Sequence, residues 1–248
     1  MNLPWLVPGE PFPDASQAWD AAQPVPGLLA AGGVLDTDSL ARAYAGGIFP
    51  WFSEGQPILW WSTDPRMVLF TREFRLHRSL RKTLTRFAAD ERCEVRIDTA
   101  FSEVIRACSG SHRPGQSGTW IVPAMVRAYE QFHRDGYAHS VETWIDGELA
   151  GGLYCVAIGG AVFGESMFTR VPDASKIALA GLVALCRVHG VPLIDCQQNT
   201  QHLASLGARE ITRDDFVKQV AVNTARPPIA WRFQPLYGSE LLSHPHAA

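Results

Sequence analysis

Two carboxylates stand alone in segments that are otherwise apolar, and they are the residues best suited to chemistry. Glu165 lies within the stretch VFGESMF, and Asp195 lies within LIDCQ. Because a buried carboxylate is costly unless it is paired, each one needs a ligand or a side chain as its partner. Two converging carboxylates can hold an ammonium group, or one can act as a general base. The alternative is a structural ion pair with Lys176 or Arg170.

The segment around Glu165 also resembles the nucleophile elbow of serine hydrolases, whose pattern is G-x-S-x-G. Gly164 and Ser166 match its first two fixed positions, but Phe168 replaces the closing glycine. The elbow is a sharp strand-to-helix turn that exposes the serine. A hydrolase that uses Ser166 is therefore a less favoured alternative.

Metal-binding and nucleotide-binding motifs are missing from the sequence. The eight histidines form no H-E-x-x-H motif. The glycine-rich phosphate-binding patterns G-x-x-x-x-G-K-[ST] and G-x-G-x-x-G do not occur either. We therefore expect no metal site and no nucleotide cradled by such a loop. The turn at 169–174, before a predicted helix, lacks the glycine-rich loop with which acetyltransferases bind coenzyme A. The acyl donor is expected to be something other than acetyl-CoA.

A basic segment between residues 71 and 87 forms a second candidate site. Helical spacing over 77–87 separates apolar from basic side chains. The apolar face carries Leu76, Leu80 and Leu84, and the basic face carries Arg78, Lys82 and Arg86, with Arg81 nearby. A solvated surface explains such a face, but on a chain of net charge -3 it is also a candidate for contacting phosphates. A noncatalytic RNA-binding module is thus a further alternative.

The elements that must position the carboxylates form a predicted antiparallel meander. Strands are predicted over 140–145, 149–158 and 161–168, joined by tight turns at 146–147 and 159–160. An apolar, buried helix over 175–189 follows, with Asp173 as its cap. A strand over 193–197, a helix over 199–206 and a strand over 209–211 complete the order. This order indicates an α+β fold with a mixed sheet, like that of acetyltransferases.

The first 65 residues are rich in Pro, Gly and Trp and predict loops around one short helix over 37–45. Two aromatic clusters follow that helix, IFPWF and ILWW. They either complete the core as a lid or line one wall of an apolar pocket. Further helices are predicted near 99–108 and 123–135, with a flexible loop at 112–118 between them.

The composition of the 248-residue chain supports one large domain, alone or with a small one, because 46% of its residues are hydrophobic. Its five cysteines form no C-x-x-C pair, which favours reduced thiols in the cytosol. The start lacks a secretory signal, and no apolar run approaches the roughly 20 residues that span a bilayer. We expect a cytoplasmic protein with no membrane partner.

A series of short sequence blocks matches one known family in order, from about Gly27 to Phe216. The blocks are GLLAAGG from Gly27, GIFPWFS from Gly47, PILWWS from Pro57, DPR from Asp64, GTWI from Gly118, AHS from Ala138, GG from Gly151, GESMF from Gly164, ASK from Ala174, LIDCQ from Leu193 and ASLGA from Ala204. Each block alone is weak, but the ordered set is specific. By these blocks the chain resembles the bacterial leucyl/phenylalanyl-tRNA–protein transferases.

The resemblance implies a fold and an activity. It implies a small N-terminal domain, residues 1–66, and an acetyltransferase-like (GNAT-type) mixed-sheet domain, residues 67–248. The activity is that of an aminoacyltransferase that moves Leu, Phe or, less well, Met from aminoacyl-tRNA to the N-terminal Arg or Lys of acceptor proteins. The product carries a destabilising N-terminus for N-end rule degradation. No cofactor or metal is implied, and we expect a monomer.

The resemblance also implies roles for particular residues. The catalytic set is Glu165, Asp195 and Gln197, and which of them, if any, is the general base stays open. The donor pocket is lined by Trp51, Trp120, Leu153, Met167 and Leu182. The tRNA acceptor stem is held through its phosphates by Arg78, Arg81, Lys82 and Arg86. We further expect Glu165 and Asp195 to face one cavity and together receive an N-terminal Arg, since neither strand offers a basic partner.

Overall fold

A computed structural model describes residues 2–110, 121–234, 240 and 242, which form two sheets and seven α-helices. The strands are β1 (Trp5–Leu6), β2 (Leu28–Gly32), β3 (Phe49–Pro50), β4 (Leu59–Trp61), β5 (Arg66–Phe70), β6 (Cys93–Ile97), β7 (Ala138–Ile145), β8 (Glu148–Ile158), β9 (Ala161–Thr169), β10 (Leu193–Gln197) and β11 (Arg209–Ile211). The helices are α1 (Thr37–Ala45), α2 (Arg78–Ala89), α3 (Phe101–Gly110), α4 (Pro123–Arg134), α5 (Ala174–Val188), α6 (Gln201–Ser205) and α7 (Arg213–Thr224). Short 3-10 helices span Ala15–Gln17 and Thr71–Glu73.

The large sheet has seven strands in the order β11-β5-β10-β9-β8-β7-β6. The predicted meander is confirmed, because β7, β8 and β9 pair antiparallel in sequence order. Only the β9–β10 pair is parallel among the described strands of this sheet, and α5 makes the crossover between them. The sheet is therefore mixed, as the order of elements predicts.

Helices cover both faces of the large sheet. Successive side chains of a strand point to opposite faces. Accordingly, Leu153 belongs to the core cluster under α2 and α5, and the next residue, Tyr154, belongs to the cluster under α1, α3 and α4. Helix α5 is buried nearly all round, as its composition predicts.

The N-terminal part contains a sheet that the sequence does not predict. Its four strands have the order β1-β2-β4-β3, and the confirmed helix α1 lies between β2 and β3 in the chain. These strands have only two to five residues, which is too few for an alternating pattern to identify them. Their aromatic residues join the same core cluster as α3 and α4, and Trp60 is fully buried. The small sheet is thus packed against the large one through a shared core.

Three more elements escape the sequence prediction, namely β5, β6 and α7. The predicted N-cap of α5 is confirmed in position but not in its side-chain hydrogen bond. Asp173 precedes the helix with φ +67° and makes no side-chain capping bond. Its carboxylate instead accepts a hydrogen bond from Lys176 Nζ at 2.8 Å. The predicted loop at 112–118 lies outside the described residues.

Two general properties bear on the class of protein. All five cysteines are free thiols. Within the described ranges, no helix combines the length and the apolar character needed to cross a membrane.

Candidate active site

A cavity of about 510 Å³ opens where β9 and β10 separate. The parallel ladder between these strands joins Ile194 to Val162 and Asp195 to Phe163. Beyond these pairs the strands diverge, and the residues that follow line the gap. The site therefore lies inside the large sheet, between two of its strands.

Two β-bulges aim polar side chains at this cavity. In the β8–β9 ladder, Tyr154 faces Ser166 and Cys155 faces Gly164, so Glu165 is the extra residue. In the β5–β10 ladder the register also shifts after Asp195, and Gln197 adopts a left-handed φ of +53°. Because a bulge bends a strand and redirects its side chains, both Glu165 and Gln197 leave the regular alternation. Both of them line the cavity.

Most of the remaining lining is apolar. Its apolar members are Phe49, Pro50, Trp51, Leu153, Met167, Leu179, Leu182, Ile194 and Leu203. Four residues that sequence reasoning assigns to the donor pocket are thus brought together here, and Trp120, the fifth, lies outside the described residues. The Trp51 backbone is held by Trp61, whose indole Nε1 donates to its carbonyl at 2.6 Å. Such a lining suits an apolar side chain rather than a charged one.

Glu165 is surrounded by uncharged hydrogen-bond donors. Tyr44 donates its hydroxyl to Glu165 Oε1 at 2.7 Å. Gln197 donates its side-chain amide to the same oxygen at 3.3 Å. Behind Tyr44, the hydroxyl of Tyr129 is hydrogen-bonded to the Tyr44 hydroxyl. The carboxyl group is thus held without a cation in direct contact.

The surroundings of Glu165 favour its neutral form. Burial raises its pKa to about 8, and the nearby carboxylate of Asp195 adds to the rise. The hydrogen bond from Tyr44 and the charge of Arg66 oppose that rise without cancelling it. A carboxyl group with a pKa near neutrality can exchange a proton with an amine.

Asp195 has a different role from the one expected. It is fully buried and accepts two hydrogen bonds from the Arg66 guanidinium, from Nε to Oδ1 at 2.8 Å and from Nη2 to Oδ2 at 2.7 Å. The expectation that Asp195 faces the cavity beside Glu165 and lacks a basic partner is therefore wrong. The basic partner comes from β5, the neighbouring strand of the sheet, which the sequence does not predict.

The guanidinium of Arg66 is enclosed on both sides by aromatic rings. Its Cζ lies 4.6 Å from the ring centre of Phe49 and 4.4 Å from that of Phe216. Its third nitrogen, Nη1, donates to the carbonyl of Gly47 at 3.4 Å. Arg66 therefore ties the N-terminal part, α7 and β10 together around one fully buried ion pair.

Asp195 also reaches the cavity indirectly, through the backbone of Gln197. The Gln197 N–H donates to Asp195 Oδ1 at 3.0 Å. This bond holds Gln197 in its left-handed conformation, which is strained for a residue with a side chain. The arrangement makes Asp195 a residue that positions Gln197.

The alternative partners and the alternative chemistry find no support in this geometry. Lys176 binds Asp173, and Arg170 donates to the carbonyl of Leu149 at 3.0 Å, so neither of them pairs with Glu165 or Asp195. Ser166 lies within β9, not on a strand-to-helix turn. In the described part of the chain, no group of three His, Cys, Asp or Glu side chains is arranged to hold a metal.

The basic helix lies on the surface with the predicted faces. Leu76, Leu80 and Leu84 are buried, while Arg78, Lys82 and Arg86 are exposed. None of those three basic residues forms an ion pair with any described residue. Arg81 differs, because it is half-buried and donates to the carbonyl of Leu242 at 2.8 Å.

Sequence reasoning missed three residues at this site, namely Tyr44, Arg66 and Tyr129. Arg66 had a detectable signal, since it is a single cation directly before the apolar segment MVLF. Tyr44 and Tyr129 had almost none, because a tyrosine on the apolar face of a helix is most often plain core.

Together these features define an α+β protein with an apolar cavity inside its sheet and a carboxyl–amide pair at the cavity's polar end. Models of one family match most of its length. The leucyl/phenylalanyl-tRNA protein transferase model matches residues 68–221, and the model of that family's N-terminal domain matches residues 33–64. The chain belongs to the leucyl/phenylalanyl-tRNA protein transferase family.

Curated relatives named leucyl/phenylalanyl-tRNA–protein transferase are similar along almost the whole chain. The protein from Albidiferax ferrireducens is 63% identical over 97% of this chain and 95% of its own length. Those from Polaromonas sp. and Burkholderia thailandensis are 59% and 54% identical, over 97% and 99% of this chain and 94% and 96% of their own lengths. A solved Staphylococcus epidermidis protein, described as functionally unknown, has 8% identity and a TM-score of 0.36 over 75% of this chain and 68% of its own. That likeness is too low to assign a fold.

Proposed function

We propose that the protein transfers Leu, Phe and, less efficiently, Met from aminoacyl-tRNA to the N-terminal Arg or Lys of acceptor proteins. The relatives' shared name supports the donor and the protein acceptor. The transferred residue becomes a destabilising N-terminus for N-end rule degradation. The protein acts as a cytoplasmic monomer, with a small domain over 1–66 and an acetyltransferase-like domain over 67–248.

The observation that carries this proposal is the cavity, which joins an apolar wall to a carboxyl–amide pair. The wall receives the apolar side chain of the donated amino acid, with Trp51 and Trp120 beside the terminal adenosine. The ester carbon then lies near Glu165 and Gln197, where the acceptor's amine also arrives. Positioning the two reactants in this way converts a reaction between two molecules into one within a complex.

The reaction is aminolysis of an ester. The acceptor's α-ammonium loses a proton, and its nitrogen forms a bond to the ester carbonyl carbon. The bond from that carbon to the ribose oxygen breaks, and the oxygen takes up the second proton, which the nitrogen loses as the amide forms. Glu165 accepts the proton from the ammonium, and Gln197 orients the reacting groups. Asp195 acts through Gln197 rather than on the acceptor directly.

Charge balance explains the preference for a basic acceptor. Arg66 neutralises Asp195, so ionised Glu165 leaves one negative charge at the polar end of the cavity. A cationic N-terminal segment stabilises that charge in a poorly solvated site. The exposed face of α2, with Arg78, Lys82 and Arg86, contacts tRNA phosphates, and Arg81 supports it from its half-buried position.

A transfer assay tests this function directly. Labelled Leu-tRNA is incubated with a peptide that begins with Arg and, in parallel, with one that begins with Ala. We expect a labelled product only with the Arg peptide, and a loss of about 100-fold or more with Glu165→Gln. Retention of full activity by that variant would remove Glu165 from the mechanism. Equal binding of charged and uncharged tRNA without any transfer would instead indicate an RNA-binding module.

A further inference from the structure

A chain of hydroxyl groups leads from the core to Glu165. A phenol has one proton to donate, and that of Tyr44 goes to Glu165 Oε1. The Tyr129 hydroxyl is hydrogen-bonded to the Tyr44 hydroxyl, and its own hydrogen bonding to Glu165 also lowers the pKa of that carboxyl group. This chain of two hydroxyl groups thus ends at the Glu165 carboxyl group, and both phenols act on it.

Both phenols stay protonated over the pH range in which Glu165 titrates. Tyr44 and Tyr129 are fully buried. Burial raises the pKa of each well above the usual value, and the charge of Glu165 raises it further. The pair therefore donates hydrogen bonds at every pH at which Glu165 titrates.

We propose that Tyr44 and Tyr129 are positioning residues that orient the Glu165 carboxyl group and set the pH at which it accepts the acceptor's proton. This inference rests on the proposed function. Tyr44 lies on α1 and Tyr129 on α4, so the carboxyl group on β9 is held from two separate elements. The N-terminal part, which also lines the cavity, thereby reaches the Glu165 carboxyl group through the Tyr44 hydroxyl.

The other groups that act on Glu165 differ from the two phenols. Asp195 raises its pKa and Arg66 lowers it, but these two charges are locked in one ion pair. Gln197 contributes an uncharged amide at 3.3 Å. Cys155 is a buried thiol, and burial is the main cause of its raised pKa. Removing a phenolic hydroxyl therefore changes the hydrogen bonds to Glu165 while every charge around it stays in place.

The sign of the effect follows from which form each hydrogen bond favours. A donor to a carboxylate stabilises the ionised form and lowers the pKa, as Tyr44 does here. Tyr44→Phe should therefore raise the pKa of Glu165. If the ionised form is active, each unit of rise lowers the rate about tenfold at pH values below the pKa, and the deficit shrinks at higher pH.

The first test is the pH profile of transfer to an Arg peptide, measured as kcat/KM for Tyr44→Phe and Tyr129→Phe. We expect the acidic limb to move upward by about one unit for Tyr44→Phe and by less for Tyr129→Phe. Tyr137→Phe is the matched control, because Tyr137 packs on Phe132 outside this chain of hydroxyls and should keep the parent profile. A loss of equal size at every pH would mean that the phenols act only as structure, which would overturn the proposal.

A second measurement needs no transfer activity. The protein is labelled with 13C-carboxyl glutamate, and the Glu165 signal is assigned by its disappearance in Glu165→Gln. Its titration midpoint should rise in Tyr44→Phe. It should fall when 3-fluorotyrosine, a stronger donor of nearly the same shape, replaces Tyr44.

The two measurements separate two kinds of failure. A midpoint that both replacements leave unmoved would overturn the proposal, even if Tyr44→Phe folds poorly, because 3-fluorotyrosine preserves the packing. Shifted midpoints in a protein that performs no transfer would leave the hydroxyl chain intact and instead overturn the proposed function.

Discussion

Glu165 and Asp195 lie on adjacent strands, yet their surroundings differ in one decisive respect. Asp195 is bound by a guanidinium through two hydrogen bonds and has no exposed surface. Glu165 is held by a phenol and an amide and lines the cavity. Both are single carboxylates in apolar strands, and only the partner distinguishes them.

The comparison shows how a countercharge decides what a buried carboxylate can do. A carboxylate that is neutralised inside the protein is available for holding other groups, and Asp195 uses one oxygen to fix the backbone of Gln197. A carboxyl group without a cation keeps a raised pKa and an unmet preference for positive charge. The first arrangement stabilises the site, and the second one carries its chemistry.

The largest expected effect comes from breaking the neutralised pair. Arg66→Met should lower the free energy of unfolding by about 3–5 kcal/mol, because it leaves Asp195 buried without its partner. Arg209→Met is the control, since Arg209 pairs with Glu73 at the surface and should cost at most about 1 kcal/mol. Urea unfolding of both variants measures the difference. Equal losses would show that the buried pair has no special weight.

The second test concerns Glu165, whose environment favours the protonated form of the carboxyl group. Its pKa is raised from 4.5 to about 8 in the folded protein, so the folded state binds the proton more tightly than the unfolded state. This contribution to stability is present below pH 4.5 and is lost as the pH rises through about 8. Glu165→Gln should therefore flatten the fall in unfolding free energy between pH 5 and 8, as followed by urea titrations. An unchanged slope would mean that Glu165 has an ordinary pKa.

The third test compares two leucines of α5. Both leucines are buried in the core, but Leu182 also lines the cavity and Leu185 does not. Leu182→Ala should weaken the use of Leu-tRNA by about 1–3 kcal/mol, read as kcat/KM. Leu185→Ala should lower stability by about 2–5 kcal/mol and leave donor preference unchanged.

The donor itself can be varied in the parent protein. Ala-tRNA should be a poorer donor than Leu-tRNA by roughly 2 kcal/mol, at about 0.8 kcal/mol for each methylene that is not buried. Equal rates with both donors would show that the cavity does not select the side chain.

The smallest effect concerns charge that is neither neutralised nor buried. Replacing Arg78, Lys82 or Arg86 by Gln should raise the KM for charged tRNA. It should also reduce the slope of log K against log salt concentration by about 0.7–0.9 for each phosphate that the variant no longer neutralises. Arg127→Gln, an exposed change on α4, is the control. If a donor truncated to aminoacyl-adenosine is used just as poorly by these variants, the helix has no role in phosphate binding.

Much of the catalytic framework was predictable because it depends on local rules. Alternating apolar residues and glycine turns predicted the meander, and helical spacing predicted α1, α2 and α5 close to their observed ends. The two carboxylates were also recognisable, since charge is rare in apolar strands. Each of these signals depends only on residues that lie a few positions apart in the chain.

The partners of those carboxylates were decided only by the tertiary structure. Arg66 and Asp195 are 129 residues apart, and Tyr44 and Glu165 are 121 apart. The bulges that turn Glu165 and Gln197 toward the cavity arise from the register between strands, which local sequence does not specify. The sequence by itself therefore determined which residues carry charge in the core. The pairing of strands determined which of these charges is neutralised and which one faces the cavity.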